Sequence, residues 1–182
     1  MTAHETHQTF RTFQLEVPIL IRLATKEDLP KLEWFGRYTH FRKVFQRTFR
    51  EQAQGKRLML VADYNGFPVG QLFAHRKREQ PSPFDGRLRV YFYSLRVLDM
   101  FQGLGIGTQL LQEAEALFAT DGMQIAVIAA AKDNPRARKL YERLGYHMIG
   151  EDAGNWSYID HRDRVQYVQE PCWVLEKPLH MR

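Results

Sequence analysis

The sequence is nearly without cysteine. Cys172 is the only one in 182 residues, so no disulfide can form within the chain and a reducing, cytoplasmic setting is expected. It lies in the apolar run 172–175, where a buried structural thiol is the better reading than a catalytic one. Long apolar runs are also missing. The longest, Ile125 to Ala131, has seven residues, against about 20 for a bilayer span, so no membrane partner is expected. The opening MTAHETHQTFRTFQ carries Glu5 and no apolar stretch, which does not fit a secretion signal. Charge of one sign is not concentrated: 26 basic residues against 21 acidic ones leave a net +5. The basic residues fall in short groups, at 76–78 and at Arg136, Arg138, Lys139 and Arg143. No long basic stripe exists, so nucleic acid is not an expected partner. The groups suit a smaller polyanion or a solvated face.

What the chain does have is the composition of one folded domain. Hydrophobic residues make up 44% and charged residues 26%, which allows a real core. Residues 1–17 are polar and unpatterned and read as an N-terminal arm; residues 18–182 read as the domain. Apolar, β-branched or aromatic runs predict strands at 18–24, 89–98, 123–131, 146–151 and 172–179. The stretch 57–75 predicts a hairpin about Asn65-Gly66, a pair that supplies both positive-φ residues of a tight turn. Thr25 and Asp28 form a capping-box pattern and predict a helical region from Lys26 into the 50s, broken once near Gly36 to His40. Prolines and Gly86 make 77–88 a loop.

Ile106, Leu110, Leu111, Ala114, Leu117 and Phe118 recur at helical spacing before Gly122. Asn134-Pro135 opens another helix, with a cap residue and then a proline at the first helical position. Ala137, Leu140, Tyr141 and Leu144 share one face of it, and Gly145 ends it. This order of elements is an α/β arrangement, a mixed sheet with helices on its faces.

Between a strand and the first of those helices stand Gly103, Gly105 and Gly107. A dinucleotide fingerprint would need glycine where Thr108 stands, and a triphosphate-binding loop would need a lysine after its last glycine. What remains is a strand–turn–helix whose backbone amides and helix start can hold a phosphate. The alternative is a tight connector.

The run Gln102-Gly103-Leu104-Gly105-Ile106-Gly107 matches Gln/Arg-x-x-Gly-x-Gly/Ala, and it is followed by NPRARKLYERLGY at 134–146. This ordered pair resembles the GNAT acetyltransferase superfamily. The opening IRLATKEDLPKL and the closing CWVLEKPL agree with it, so the resemblance covers roughly residues 18–180. It implies a mixed, mostly antiparallel central sheet of six to seven strands with a splayed parallel pair and helices on both faces. It also implies acetyl-CoA as co-substrate without a metal, and transfer to a primary amine of a small molecule or protein by direct attack.

On these residues the resemblance implies the following site. Backbone groups of Leu95, Arg96 and Val97 pair with the pantetheine amides like an added strand. Backbone N–H groups from Gly103, Leu104, Gly105, Ile106, Gly107 and Thr108, after Gln102, hold the pyrophosphate. Asn134 contacts the cofactor, although an N-cap asparagine suits any helix. Tyr141 is the catalytic residue, its hydroxyl aimed at the cofactor sulfur. A phenol with a pKa of about 10 can protonate a thiolate whose conjugate acid lies near 8.5.

The general base is not evident. Ala129 stands where some family members carry glutamate, and Tyr93 where others carry a carboxylate or histidine. Glu151, Asp152, His161, a water chain, or proximity alone are the alternatives. Asp99 stands where members often have proline and reads as a turn residue. The acceptor side is expected from 26–55 and 151–171, where Trp156, Tyr158 and Tyr167 mix with Asp152, Asp160 and Asp163. That mixture suits a cationic amine; a loop, a hairpin or a homodimer contact is the other reading. Two further functions compete: a coenzyme A-binding regulatory module without turnover, and a basic nucleic-acid or ribosome-associated protein.

Overall fold

The structure, a computed structural model, describes residues 16–77 and 88–180. The expected N-terminal arm and most of the loop expected at 77–88 therefore lie outside the described residues.

The described residues form nine strands, β1 (Leu20–Leu23), β2 (Arg57–Tyr64), β3 (Phe67–Lys77), β4 (Arg89–Val97), β5 (Ile125–Ala131), β6 (His147–Asp152), β7 (Asn155–Ile159), β8 (Val165–Gln169) and β9 (Cys172–Pro178), together with α1 (Arg42–Ala53), α2 (Ile106–Thr120) and α3 (Pro135–Arg143). Seven strands make one sheet in the order β1-β2-β3-β4-β5-β9-β6, and β7 and β8 make a separate hairpin. The only parallel pair in the sheet is β4 with β5. The mixed, mostly antiparallel architecture expected from the sequence is the one observed.

The hairpin β2–β3 turns at Asn65 (φ 50°) and Gly66 (φ 80°), as its sequence requires. Both faces of the sheet are covered. On one face Val90 and Phe92 of β4 join Leu110, Leu111 and Phe118 of α2 and Tyr141 of α3 in a buried cluster. On the other, Phe45 of α1 packs with Leu32, Met59 and Phe73. Each fully buried side chain of this size contributes about 1.5–3 kcal/mol.

Two expectations change, the course of 26–41 and the burial of Leu117. Residues 26–41 are three short 3-10 turns, and the helix begins only at Arg42. Trp34 turns inward, with its Nε1 donating to Pro68 O at 2.9 Å. Trp34, Phe35 and Gly36 take left-handed φ values of 40°, 58° and 93°, which no continuous helix can hold. The capping-box residues do meet: Asp28 accepts from the Thr25 N–H at 2.7 Å. Leu117, expected on the buried stripe of α2, is 46% exposed. The stretch 151–171 is the end of β6 followed by the β7–β8 hairpin, which docks with Trp156 stacked on Phe41 and Tyr158 tilted against it.

Candidate active site

The sheet opens at one place. β4 and β5 pair from Arg89↔Ile125 to Phe92↔Ile128 and no further. Beyond Phe92, β4 follows β3, while β5 runs on to Ala131 beside β9. A bulge starts the divergence: the β3–β4 register shifts between Gln71 and Phe73, and Ser94 takes a left-handed φ of 55°. The Ser94 carbonyl accepts from Gln71 Nε2 at 3.3 Å.

A cleft of about 720 Å³ occupies the opening and continues between the N-termini of α2 and α3. It is lined by Leu95, Arg96 and Val97 from β4, by Gln102, Gly103, Gly105, Ile106, Gly107 and Thr108 from the glycine turn, and by Asn134 and Tyr141 from the second motif. Of the residues singled out in the sequence for the cofactor, only Leu104 is elsewhere; its side chain is 70% exposed.

The turn is built to leave donors free. Gly103 and Gly105 hold φ of 82° and 83°, with nothing within 4 Å of where a Cβ would stand. Gly105 is the N-cap of α2 and has no side chain to cap it. The first helical bond of α2 runs from the Gln109 N–H to the Gly105 carbonyl at 3.0 Å. The N–H groups of Ile106, Gly107 and Thr108 thus lack helical acceptors at the positive end of the helix dipole. Gln102 braces the walls: its Nε2 donates to the Val97 carbonyl at 3.0 Å and to Asp99 Oδ1 at 3.1 Å, while its Oε1 accepts from Arg136 at 3.3 Å. Asn134 caps α3, its Oδ1 accepting from the Ala137 N–H at 3.1 Å.

Positive charge gathers at the mouth. Arg136, Lys139 and Arg143 line the cleft, and none forms an ion pair with a described carboxylate. Arg138, in the same basic group, is instead held by Glu142 at 2.7 Å. Lys139 and Arg143 are separated by one helical turn, so both can address one anion.

Deep in the cleft, Tyr141 is 5% exposed. Its hydroxyl has no hydrogen bond among the described residues, and burial, with Tyr91 nearby, pushes its pKa well above the ordinary phenol value. The group therefore stays protonated and keeps a hydroxyl proton to donate in a hydrogen bond to an incoming acceptor.

The proton-acceptor candidates are not equivalent. Glu151 pairs with Lys132 at 2.5 Å, and Asp152 accepts from the Gly154 N–H at 2.6 Å. His161 differs: its buried Nδ1 has no partner. It lies on the face of the sheet that carries α1, with His40 and Glu33 nearby. Asp160 and Asp163 are also engaged. Asp160 accepts from the N–H groups of Arg162 and Arg164 at 2.8 and 3.0 Å, and Asp163 pairs with Lys43. Of the carboxylates of 151–171, Asp152 and Asp160 close turns, Glu151 holds Lys132 and Asp163 ties the hairpin to α1. They do not form the open acidic surface that their composition suggests.

Two features were not singled out in the sequence. The bulge at Ser94 leaves no local signal, because serine has no special preference for that backbone. The side chain of Arg96 leaves none either, because its aromatic partners come from the 3-10 region.

Comparison with known proteins agrees with this geometry. Residues 23–146 match the model of the acetyltransferase (GNAT) family. The chain is 26% identical over 139 residues to a 5-NmdU N-acetyltransferase of Pseudomonas phage PaMx11, covering 75% of this chain and 92% of that protein. It is 26% identical over 109 residues to an L-methionine sulfoximine/L-methionine sulfone acetyltransferase of Pseudomonas paraeruginosa, covering 57% of this chain and 61% of that protein. The fold is that of Arabidopsis thaliana NAA60 in complex with acetyl-CoA, with a TM-score of 0.67 at 17% identity over 89% of this chain and 99% of that one. Among the described residues no helix is long and apolar enough to cross a membrane. The protein belongs to the GNAT family and is an acetyl-CoA-dependent N-acetyltransferase.

Proposed function

We propose that acetyl-CoA lies in the β4–β5 cleft and that an amine, entering from the α1 face, attacks the acetyl carbon directly. The observation that carries this is the pairing of two free donors in one cleft: the unpartnered N–H groups of the glycine turn at one end and the unbonded Tyr141 hydroxyl within it. Bound there, acetyl-CoA supplies the acetyl thioester.

The protein's own groups do the rest. Backbone groups of Leu95, Arg96 and Val97, released from β5, are available to two or three amides of an extended ligand. Ile106, Gly107 and Thr108 N–H groups hold the diphosphate at the helix start. Arg136, Lys139 and Arg143 add charge at the mouth. Tyr141 donates a hydrogen bond from its hydroxyl to the departing sulfur and so stabilises a thiolate whose conjugate acid lies near 8.5.

Direct attack is favoured over an acyl-cysteine. Cys172 is not among the residues lining the cleft, and burial raises its pKa, so its thiol is a poorer nucleophile at neutral pH. The amine must arrive neutral, and deprotonating an alkyl amine at pH 7 costs about 4–5 kcal/mol. With Glu151 and Asp152 engaged elsewhere, His161 is the preferred side chain to take that proton, a water chain or proximity alone being the other readings. A small acceptor is the preferred reading, because one relative is named for L-methionine sulfoximine and sulfone. A cytoplasmic enzyme fits the lone free thiol of Cys172.

Calorimetric titration of acetyl-CoA, followed by thiol release in the presence of an amine panel, tests the reading. Binding of acetyl-CoA that is unchanged after the glycine turn is disrupted would refute the placement.

A further inference from the structure

Arg96 follows the bulge at Ser94, and its side chain leaves the face used by its neighbours. Leu95 and Val97 pack against the α2 cluster. Arg96 turns to the opposite face, where its guanidinium lies 4.6 Å from the Tyr38 ring centroid and 4.9 Å from that of Phe41. The two rings stand stacked, 6.3 Å apart at 18°. Arg96 also lines the cleft that contains Tyr141. It therefore stands where the acceptor face and the reaction cleft meet.

This cation has no counter-ion. Among the described residues no carboxylate comes within ion-pair distance of it, and no acceptor takes its N–H groups. Glu170 is the acidic residue whose field reaches it, without forming a pair. Four other arginines of the same face are matched: Arg37 to Asp99, Arg42 to Glu33, Arg57 to Glu51 and Arg164 to Asp160. Burial costs a guanidinium more than it costs most groups, and an arginine held against aromatic rings keeps its charge. Both rings lie to one side of the guanidinium and neither accepts its N–H groups, so these donors are left for a planar anion that can accept two of them.

The carboxylates of the same face are, by contrast, spent. Glu33 accepts from Thr39 and Arg42, at 2.8 Å and 2.5 Å. Asp160 closes its own turn, and Asp163 holds Lys43. The acceptor face offers a bare cation, and the carboxylates that line it beside Arg96 are engaged, apart from Glu170, whose field reaches the guanidinium without pairing with it.

We propose that Arg96 binds a carboxylate on the acceptor, so that the substrate class is small amines bearing a carboxylate beside the amino group. This rests on the acetyl-transfer reading above and names its acceptor. One guanidinium matches one negative charge. A phosphate dianion would keep a surplus charge within the field of Glu170, and the observations favour the carboxylate.

The test compares free α-amino acids with the corresponding carboxamides as acceptors for the full chain, reading kcat/KM from coenzyme A release, with the Kd for acetyl-CoA measured separately. At least a tenfold preference for the acids is expected. It should fall below twofold in Arg96→Gln, survive in part in Arg96→Lys, and leave the Kd for acetyl-CoA within twofold. Equal use of acids and amides, failure of both sets, or a preference that survives Arg96→Gln would overturn the proposal. So would a tenfold loss of acetyl-CoA binding in Arg96→Gln, which would put the guanidinium on the cofactor. Loss of acetyl-CoA binding by the wild type would sink the placement of the cofactor instead, and the two failures are told apart by that measurement.

Discussion

The rings of Tyr141 and Tyr146 lie 6.1 Å apart, yet their hydroxyls have opposite fates. Tyr146 donates to Glu115 Oε1 at 2.9 Å, and Lys177 holds the other oxygen of that carboxylate at 2.6 Å. Tyr141 donates to nothing among the described residues and lines the cleft. One tyrosine belongs to the core network; the other presents an unbonded hydroxyl to the cleft.

A pair of deletions of a single oxygen separates these roles. Tyr141→Phe is expected to lower kcat by about 100-fold, the usual size of a lost proton donor, with the Kd for acetyl-CoA and the unfolding midpoint little changed. Tyr146→Phe should do the reverse: kcat near wild type and stability down by about 1–2 kcal/mol, because a bond to a charged, partly buried acceptor is lost. Steady-state kinetics and urea denaturation of both variants check this.

The glycine turn makes a second contrast. Gly105 holds a φ of 83°, whereas Gly107 has an ordinary backbone and its Cβ would meet Leu140 and Val97 at 3.8 Å, normal contact. Gly105→Val is therefore expected to cost about 1–2 kcal/mol of backbone strain and to raise the KM for acetyl-CoA more than tenfold by rotating the N–H groups. Gly107→Ala should change KM only a few-fold. Similar effects from both would mean that the turn acts by bulk alone.

These contrasts also show what a sequence can and cannot reveal. The glycine turn, the cap at Asn134 and the face of α3 carrying Tyr141 follow from spacing along a few adjacent residues, so they were legible. The 3-10 region was misread because the capping box at Thr25 and Asp28 does form, yet it opens a single short turn and not a helix. The bond from Trp34 to Pro68 on a distant strand decides its path, and no local pattern records that bond. Arg96 was legible only as backbone. Its value as a side chain depends on Tyr38 and Phe41 being brought across the sheet, which only the bulge at Ser94 and the packing of the turns can do.

Acid sensitivity should trace to Arg22. Its guanidinium bonds Asp28 at 2.6 and 2.9 Å and Asp63 at 2.8 Å, tying the first turn to β1 and β2. Burial works to raise the Asp28 pKa, but the bonds from Arg22 and Thr25 prevail and hold it below the ordinary carboxylate value. A lowered folded pKa means that the unfolded chain takes up the proton first. The contribution is therefore complete above about pH 5 and is lost as pH falls through the folded value. Asp28→Asn is expected to lower stability at pH 7 by about 3 kcal/mol and to flatten the loss of stability between pH 5 and pH 3, as read by urea midpoints across that range.

The charged mouth predicts a salt effect. Lys139 and Arg143 are unpaired and face the cleft, so Lys139→Ala with Arg143→Ala should weaken acetyl-CoA binding about tenfold at low salt. Raising salt to 0.5 M should weaken the wild type and barely change the double variant, because screening acts on charges that the variant no longer has. Parallel salt curves for the two proteins would show that these cations do not address the ligand.

His161 carries the remaining prediction, and the choice of acceptor makes it sharp. An alkyl amine with a pKa of about 10.4 must shed a proton at pH 7, whereas a hydrazide of the same shape is already neutral. A group that takes the proton matters for the first acceptor and not for the second. The buried, unpartnered Nδ1 of His161 stands among His40, Glu33 and Asp160 on the acceptor face. His161→Gln is expected to lower kcat/KM for the alkyl amine by about 100-fold and for the hydrazide by less than threefold, while Glu151→Gln and Asp152→Asn leave both unchanged. Equal losses for the two acceptors would make His161 a packing residue, and no loss for either would mean that the amine sheds its proton to water before it reaches the cleft.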